Sequence, residues 1–183
     1  KTARVAALAQ AITAQVGVEP GQAQADAALA KADLQSRMVG EFPELQGTKG
    51  RYYATAQGED REVAAALDEY YAPRFAGDAI AASPLGRVLA VADKLDTLVG
   101  LFAIGQKPSG SKDPFSLRRN ALGLARTLIE GKLDLDLVAL LRDAAALVDG
   151  AKAEAVAVEL YDFVLERLRG YHADQGIRGD MFD

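Results

Sequence analysis

Residues 91–119 read VADKLDTLVGLFAIGQKPSGSKDPFSLRR. The first dozen positions carry Val91, Leu95, Leu98, Val99 and Phe102 at helical spacing. A Gly/Pro/Ser loop with Lys107 and Lys112 follows, and then Arg118 and Arg119 open a second helical pattern. Extended back to Ser83, the apolar side recurs at Leu85, Val88, Leu89 and Ala92, which is the i, i+3, i+4, i+7 signature of one helix face. Ser83 reads as an N-cap with Pro84 at the first helical position. Val91 and Leu98 widen the stripe, so this helix is expected to be the most buried of the chain. Beyond the loop, Asp113-Pro114 predicts an N-cap and first turn for a helix running to about Glu130.

Working outward, every other patterned stretch is helical as well. Thr2 to Val16 repeats Val5, Leu8, Ala9, Ile12 and Val16, with Gly17 as its C-terminal stop. Pro20 opens a second helix, rich in small residues and expected to reach about Val39. GEFPELQGTKG (40–50) predicts a loop or broken helix, followed by a short helix from Arg51 to Ala56 whose Tyr52 and Tyr53 are expected to be buried. Gly58 to Tyr71 turns Val63, Ala66, Leu67 and Tyr70 inward, and its acidic first turn suits the helix dipole. Two further amphipathic helices are predicted over Leu135–Val148 and Ala153–Tyr171. No stretch alternates with the period of two that a strand requires. The expected fold is all-α, a bundle of about six to eight helices over residues 1–175, with 176–183 a frayed end or a link onward.

Composition narrows the function classes. Half the 183 residues are hydrophobic, and there is no cysteine, which removes disulfide frameworks and thiolate metal sites. No apolar run is long enough for a membrane span, and the N-terminus does not read as a signal peptide. The chain begins in helical periodicity without an initiator Met and is read as a piece of a longer protein. The net charge of −5 gives no global attraction for nucleic acid. Its distribution is uneven: Gly105–Arg126 holds five basic residues against Asp113 alone, whereas Glu130–Asp162 holds eight acidic against three basic.

Three groups of residues could carry chemistry. Asp93 and Asp96 lie three apart on one helix face, a spacing that suits a shared proton or part of a divalent-metal site. Two carboxylates are too few ligands for a metal, however, and the structural reading, one pairing with a basic neighbour and the other meeting solvent, comes first. His172, the single histidine, has no nucleophile motif near it and fits a helix C-terminus. The basic island of Lys107, Lys112, Arg118 and Arg119 joins a flexible loop to a helix N-terminus, offering point charges and N–H donors to phosphates. Its other reading is a solvated face paired with the acidic C-terminal helices. Arg51, beside Tyr52 and Tyr53, adds charge next to stacking surface.

AKADLQSRMVGEFPELQGTKGRYYA (30–54), GEDREVAAALDEYYAPRFAGD (58–78) and ADKLDTLVGLFAIGQKPSGSKDPFSLRRNALGLAR (92–126) resemble the β subunit of bacterial glycine–tRNA ligase. The likeness covers nearly the whole chain and corresponds to the central helical region of that subunit, which resembles the HD superfamily fold. It implies a cytoplasmic, non-catalytic part of a tRNA ligase. In that family the α subunit activates glycine with ATP and Mg, two α and two β chains assemble, and the β subunit binds tRNA(Gly). Lys107, Lys112, Arg118, Arg119 and Arg51 are the residues expected to meet RNA near the acceptor end. No cofactor and no metal are expected in this chain. Ala32-Asp33 stands where an HD enzyme has its His-Asp pair, and Asp93 resembles the later aspartate. A metal-dependent phosphohydrolase using Asp33, Asp93 and Asp96 is therefore an alternative that lacks its histidines. A purely structural scaffold is the third reading. Lys49, Tyr70 and Ala79-Ile80-Ala81 depart from the family pattern, Tyr70 standing where a histidine is common.

Overall fold

The computed structural model describes residues 1–75 and 77–176, so residues 177–183 of the expected C-terminal link lie outside the described residues. Among the described residues there are nine α-helices and two short 3-10 turns, and no strand. The chain divides into two compact units, Lys1–Asp93 and Lys94 onward.

The first unit holds α1 (Thr2–Val16), α2 (Pro20–Leu29), α3 (Arg37–Glu41), α4 (Thr48–Gln57), α5 (Arg61–Glu69) and the opening of α6 (Pro84–Ala103). α1 packs on α2, α2 on α5, and α4 on α5. Val5, Leu8, Ala9 and Ile12 of α1 are buried, and Gly17 ends the helix in the left-handed conformation at φ 70°. Val63, Ala66, Leu67 and Tyr70 point inward as their spacing predicts. Ser83 caps α6, its Oγ accepting the Gly86 N–H at 2.9 Å.

Three expectations fail in this unit. α2 stops at Leu29 instead of continuing to Val39. Lys31 adopts a left-handed backbone (φ 67°), and the chain then passes through a 3-10 turn at Ala32–Gln35 before α3. The segment 40–50 is a broken helix, one of the two forms expected for it, but the helix after it starts earlier than expected. α3 extends to Glu41, a 3-10 turn occupies Pro43–Leu45, and α4 begins at Thr48, making it longer than the short helix expected at Arg51. Tyr52 and Tyr53 are not core residues, being 61% and 40% exposed, because Ala54 takes the inward position of α4.

The second unit holds the rest of α6 with α7 (Leu117–Glu130), α8 (Leu137–Ala146) and α9 (Ala153–Asp174). α9 packs against α7 and α8, burying Val156, Leu160, Val164 and Leu168. The prediction for α6 holds throughout: Leu85, Val88, Leu89, Val91, Ala92, Leu95, Leu98, Val99 and Phe102 are all buried. Asp136 caps α8 by accepting from Val138 and Ala139 N–H groups. No helix among the described residues is long and apolar enough to cross a membrane.

Candidate nucleic-acid interface

The basic loop in the second unit is a built structure. α6 ends in a Schellman motif, with Gln106 N–H donating to the Leu101 carbonyl (2.9 Å), Gly105 N–H to that of Phe102 (3.0 Å), and Gly105 at φ 75°. The chain then closes a two-residue turn. Ser109 N–H donates to the Lys112 carbonyl (3.0 Å) and Lys112 N–H to that of Ser109 (2.9 Å), with Gly110 at φ 52°. The expected flexible loop is therefore a small hairpin presenting Lys112 at its end.

α7 starts at Leu117, later than the Asp113-Pro114 reading placed it. Asp113 still caps the helix from a distance, its carboxylate accepting Leu117 N–H (2.7 Å) and Arg118 N–H (2.9 Å). This removes the backbone half of the phosphate site read from the sequence, because an internal anion already occupies the helix N-terminus. What remains are the side chains. Arg118 donates to the Gly110 carbonyl at 2.6 Å, which ties the hairpin to α7 without neutralising the guanidinium. Arg119 is exposed and donates to Ser116 Oγ at 2.7 Å. Lys112 is exposed and pairs with no carboxylate among the described residues. Lys107 behaves differently, donating to both oxygens of Glu159 on α9 (2.6 and 2.7 Å) and lying 5.8 Å from the Phe102 ring centroid. Arg126, on the same helix, is buried and paired with Glu130.

In the first unit, α4 presents Lys49 and Arg51 to the Tyr52 ring at 5.8 and 5.6 Å. Arg51 reaches Asp68 only at 3.8 Å, because Arg74 holds the other oxygen of that carboxylate at 2.6 Å.

Of the three aspartates that a phosphohydrolase would use, Asp33 and Asp93 both act on the paired Tyr70 and Tyr71, and Asp96 is buried in α6. Asp33 Oδ2 accepts the Gly47 N–H at 2.7 Å. Asp93 Oδ1 accepts from the Lys31 ammonium at 2.8 Å, with Lys1 at 3.3 Å. Burial lowers the Lys31 pKa, and Asp93 opposes the drop. Tyr70 and Tyr71 stack at 4.2 Å between ring centroids. Burial raises the Tyr70 phenol far above its ordinary range, and that of Tyr71 to about 12, with the charges of Asp33 and Asp93 adding to both. An ammonium thus supplies the cation beside Asp93. Among the described residues no three of His, Cys, Asp and Glu are grouped to hold a metal.

Sequence reasoning missed Lys31, whose role depends on the break after α2, and Asp26. The latter is fully buried, has no hydrogen-bond partner on either oxygen, and is pushed up to about 8 by burial and by the charge of Glu69. An aspartate in an alanine-rich helix carries no sequence signal for that environment.

A family model described as "Glycyl-tRNA synthetase beta subunit" matches residues 1–183. The chain is 60% identical over 190 aligned positions to the glycine–tRNA ligase beta subunit of Xanthomonas campestris pv. campestris (strain B100). It is 52% identical over 214 positions to that of Xylella fastidiosa (strain M12), and 51% over 183 positions to that of Janthinobacterium sp. (strain Marseille). Each alignment takes in 100% of this chain but only 27%, 30% and 26% of the respective relative, so the chain spans less than a third of their length.

Proposed function

This chain belongs to the glycyl-tRNA synthetase beta subunit family, and from that premise we propose that it is a non-catalytic, tRNA-holding part of glycine–tRNA ligase. It helps position tRNA(Gly) at its acceptor end while an α subunit, using ATP and Mg, activates and transfers glycine in the cytoplasm. Residues 1–175 are read as the HD-like helical region of a β chain, within an assembly of two α and two β chains.

The observation that supports this reading is the state of the hairpin cations. Among the described residues Lys112 has no carboxylate partner, and Arg118 spends one donor on a carbonyl, so both charges stay available to phosphate oxygens. Arg119 extends the same run of charge along α7. Replacing Lys112 and Arg118 together by Ala in the assembled enzyme should raise the KM for tRNA severalfold. The salt dependence of binding should flatten by about two phosphate contacts, while ATP-dependent glycine activation is unchanged. An unchanged tRNA KM would take these residues out of the interface.

The scaffold reading is favoured for two cations only. Lys107 is held by Glu159, and Arg126 by Glu130 with its guanidinium 5.3 Å from the Tyr171 ring centroid, so both brace α9. Arg51 is a secondary RNA contact in this account, since its link to Asp68 is long.

A further inference from the structure

A cavity of about 180 Å³ opens in the first unit between the 3-10 turn at Ala32–Gln35 and α4. Leu29, Ala54 and Leu67 give it apolar walls, and Asp33, Tyr53 and Gln57 give it polar and aromatic ones. Asp33 is 6% exposed, and its one side-chain hydrogen bond among the described residues fixes Oδ2 on Gly47. Oδ1 is left as an acceptor on a carboxylate that lines the cavity. Gly50 also lines it, and a Cβ there would stand 3.4 Å from the Asp33 carboxylate.

We infer that this cavity receives a single unstacked RNA base bearing an amino group at C4 or C6, cytosine or adenine, with Tyr53 as its stacking surface and Asp33 Oδ1 as the acceptor of that N–H. The volume is below the several hundred Å³ of a site for a drug-sized ligand, so it suits one ring system and leaves ribose and phosphate outside. Planar apolar faces with an amino edge match apolar walls around the Asp33 carboxylate. Single-stranded RNA is read in this way, by aromatic stacking combined with hydrogen bonds to base edges. Set against the C4 substituent rather than N3, a carboxylate accepts from the cytosine amino group and has nothing to offer the uracil O4. Outside the cavity the flanking charge is positive. Arg37 is next in sequence to the lining residue Ser36, and Lys49 and Arg51 flank the lining residue Gly50 while standing over the neighbouring Tyr52 ring, so basic side chains are within reach of phosphates outside the cavity. The Asp33 neighbourhood, whose cation beside Asp93 is a lysine, thereby serves recognition.

This inference rests on the proposal that the chain meets RNA, but it uses a different unit and different residues, so the two can fail separately. The test measures binding of the oligonucleotides rC4 and rU4 to the assembled enzyme by fluorescence anisotropy. The expected preference is for rC4, by about fivefold, the worth of one net hydrogen bond. Asp33→Asn must keep its carbonyl oxygen on the Gly47 N–H and therefore turns its NH2 toward the base, so it should reverse the preference in favour of rU4. A merely structural Asp33 would not do this. Gly50→Val, which fills the cavity, and Tyr53→Ala should weaken both oligonucleotides about tenfold. Equal binding of rC4 and rU4, with Asp33→Asn making no difference, overturns the inference even if Lys112 and Arg118 prove to bind tRNA. Variants that change subunit assembly while leaving base preference absent would assign the cavity to a protein side chain and likewise overturn it. A persistent rC4 preference with tRNA binding indifferent to Lys112 and Arg118 upholds the cavity and rejects only the hairpin.

Discussion

Asp26 sits with none of its surface exposed and neither oxygen hydrogen-bonded, close enough to Glu69 for that charge to act on it. Its carboxyl is protonated in the folded chain up to about pH 8, whereas in the unfolded chain it ionises near 3.8. The folded state therefore binds more protons between those values, and stability must fall as pH rises through that window. The contribution is complete below 3.8 and lost above about 8. At about 1.4 kcal/mol per pKa unit the whole change is of the order of 5 kcal/mol. Asp26→Asn keeps the shape and cannot ionise. Its melting temperature should decline less between pH 5 and 8.5 than that of the parent, with the two curves converging in acid; parallel curves would show that Asp26 ionises without penalty. Gly47 offers a second residue-level test. It lies at φ 82°, and a Cβ there would meet the Tyr71 ring at 2.8 Å and the Arg74 guanidinium at 2.9 Å. Gly47→Ala should cost about 2 kcal/mol or more in urea unfolding, because the glycine both adopts a left-handed turn and lets its N–H reach Asp33.

At the level of elements, the start of α6 is held by a clasp that only small residues permit. Ser83 donates through Oγ to Glu69 Oε2 (2.6 Å) while accepting from Gly86 N–H (2.9 Å), and Ser83 N–H donates to the same Glu69 oxygen (2.7 Å). A Cβ on Gly86 would lie 2.6 Å from that oxygen. Ser83→Ala should cost about 1–2 kcal/mol as an ordinary lost cap. Ser83→Asp, a good cap on an isolated helix, should be worse than Ala here at neutral pH, since it sets a second carboxylate against Glu69; chemical denaturation of the two variants decides the order. The cap itself was legible, because Ser-Pro before an apolar stripe states its own geometry. The glutamate fourteen residues earlier was not, because nothing local requires it. The same division runs through the chain. α1, α5, α6 and α9 follow from periodicity that burial alone enforces. α2 breaks where Lys31 turns left-handed, beside a side chain that reaches Asp93 across sixty-two positions. Among the basic residues the sequence supplied the set but not its partition, since carboxylate partners such as Glu159 are chosen by packing. Asp113 was legible as a cap but not as the anion that fills the α7 terminus.

For the molecule as a whole, a net charge of −5 means that the proposed RNA contact would depend on local fields, and at physiological salt such fields act over about 8 Å. The hairpin is then defined as much by the carboxylates near it as by its own cations. Lys107 is the pivotal case. In the chain as it stands its charge is cancelled by Glu159, so Lys107→Ala bares that carboxylate: in the assembled enzyme it should weaken tRNA binding modestly at low salt and cost no more than about 1 kcal/mol of stability, since both partners are substantially exposed. Glu159→Gln makes the converse change, releasing an ammonium beside Lys112 and Arg118 without altering shape. If the hairpin faces RNA, that variant should bind tRNA(Gly) more tightly at low salt. It should also show a salt dependence steeper by up to about one phosphate contact, and the gain should vanish when Lys107→Ala is added. If the hairpin only braces the fold, Glu159→Gln will change melting alone and leave tRNA binding untouched at every ionic strength. The double-mutant comparison therefore separates an RNA-facing hairpin from an internal brace by the sign of a charge effect, which loss of folding cannot imitate.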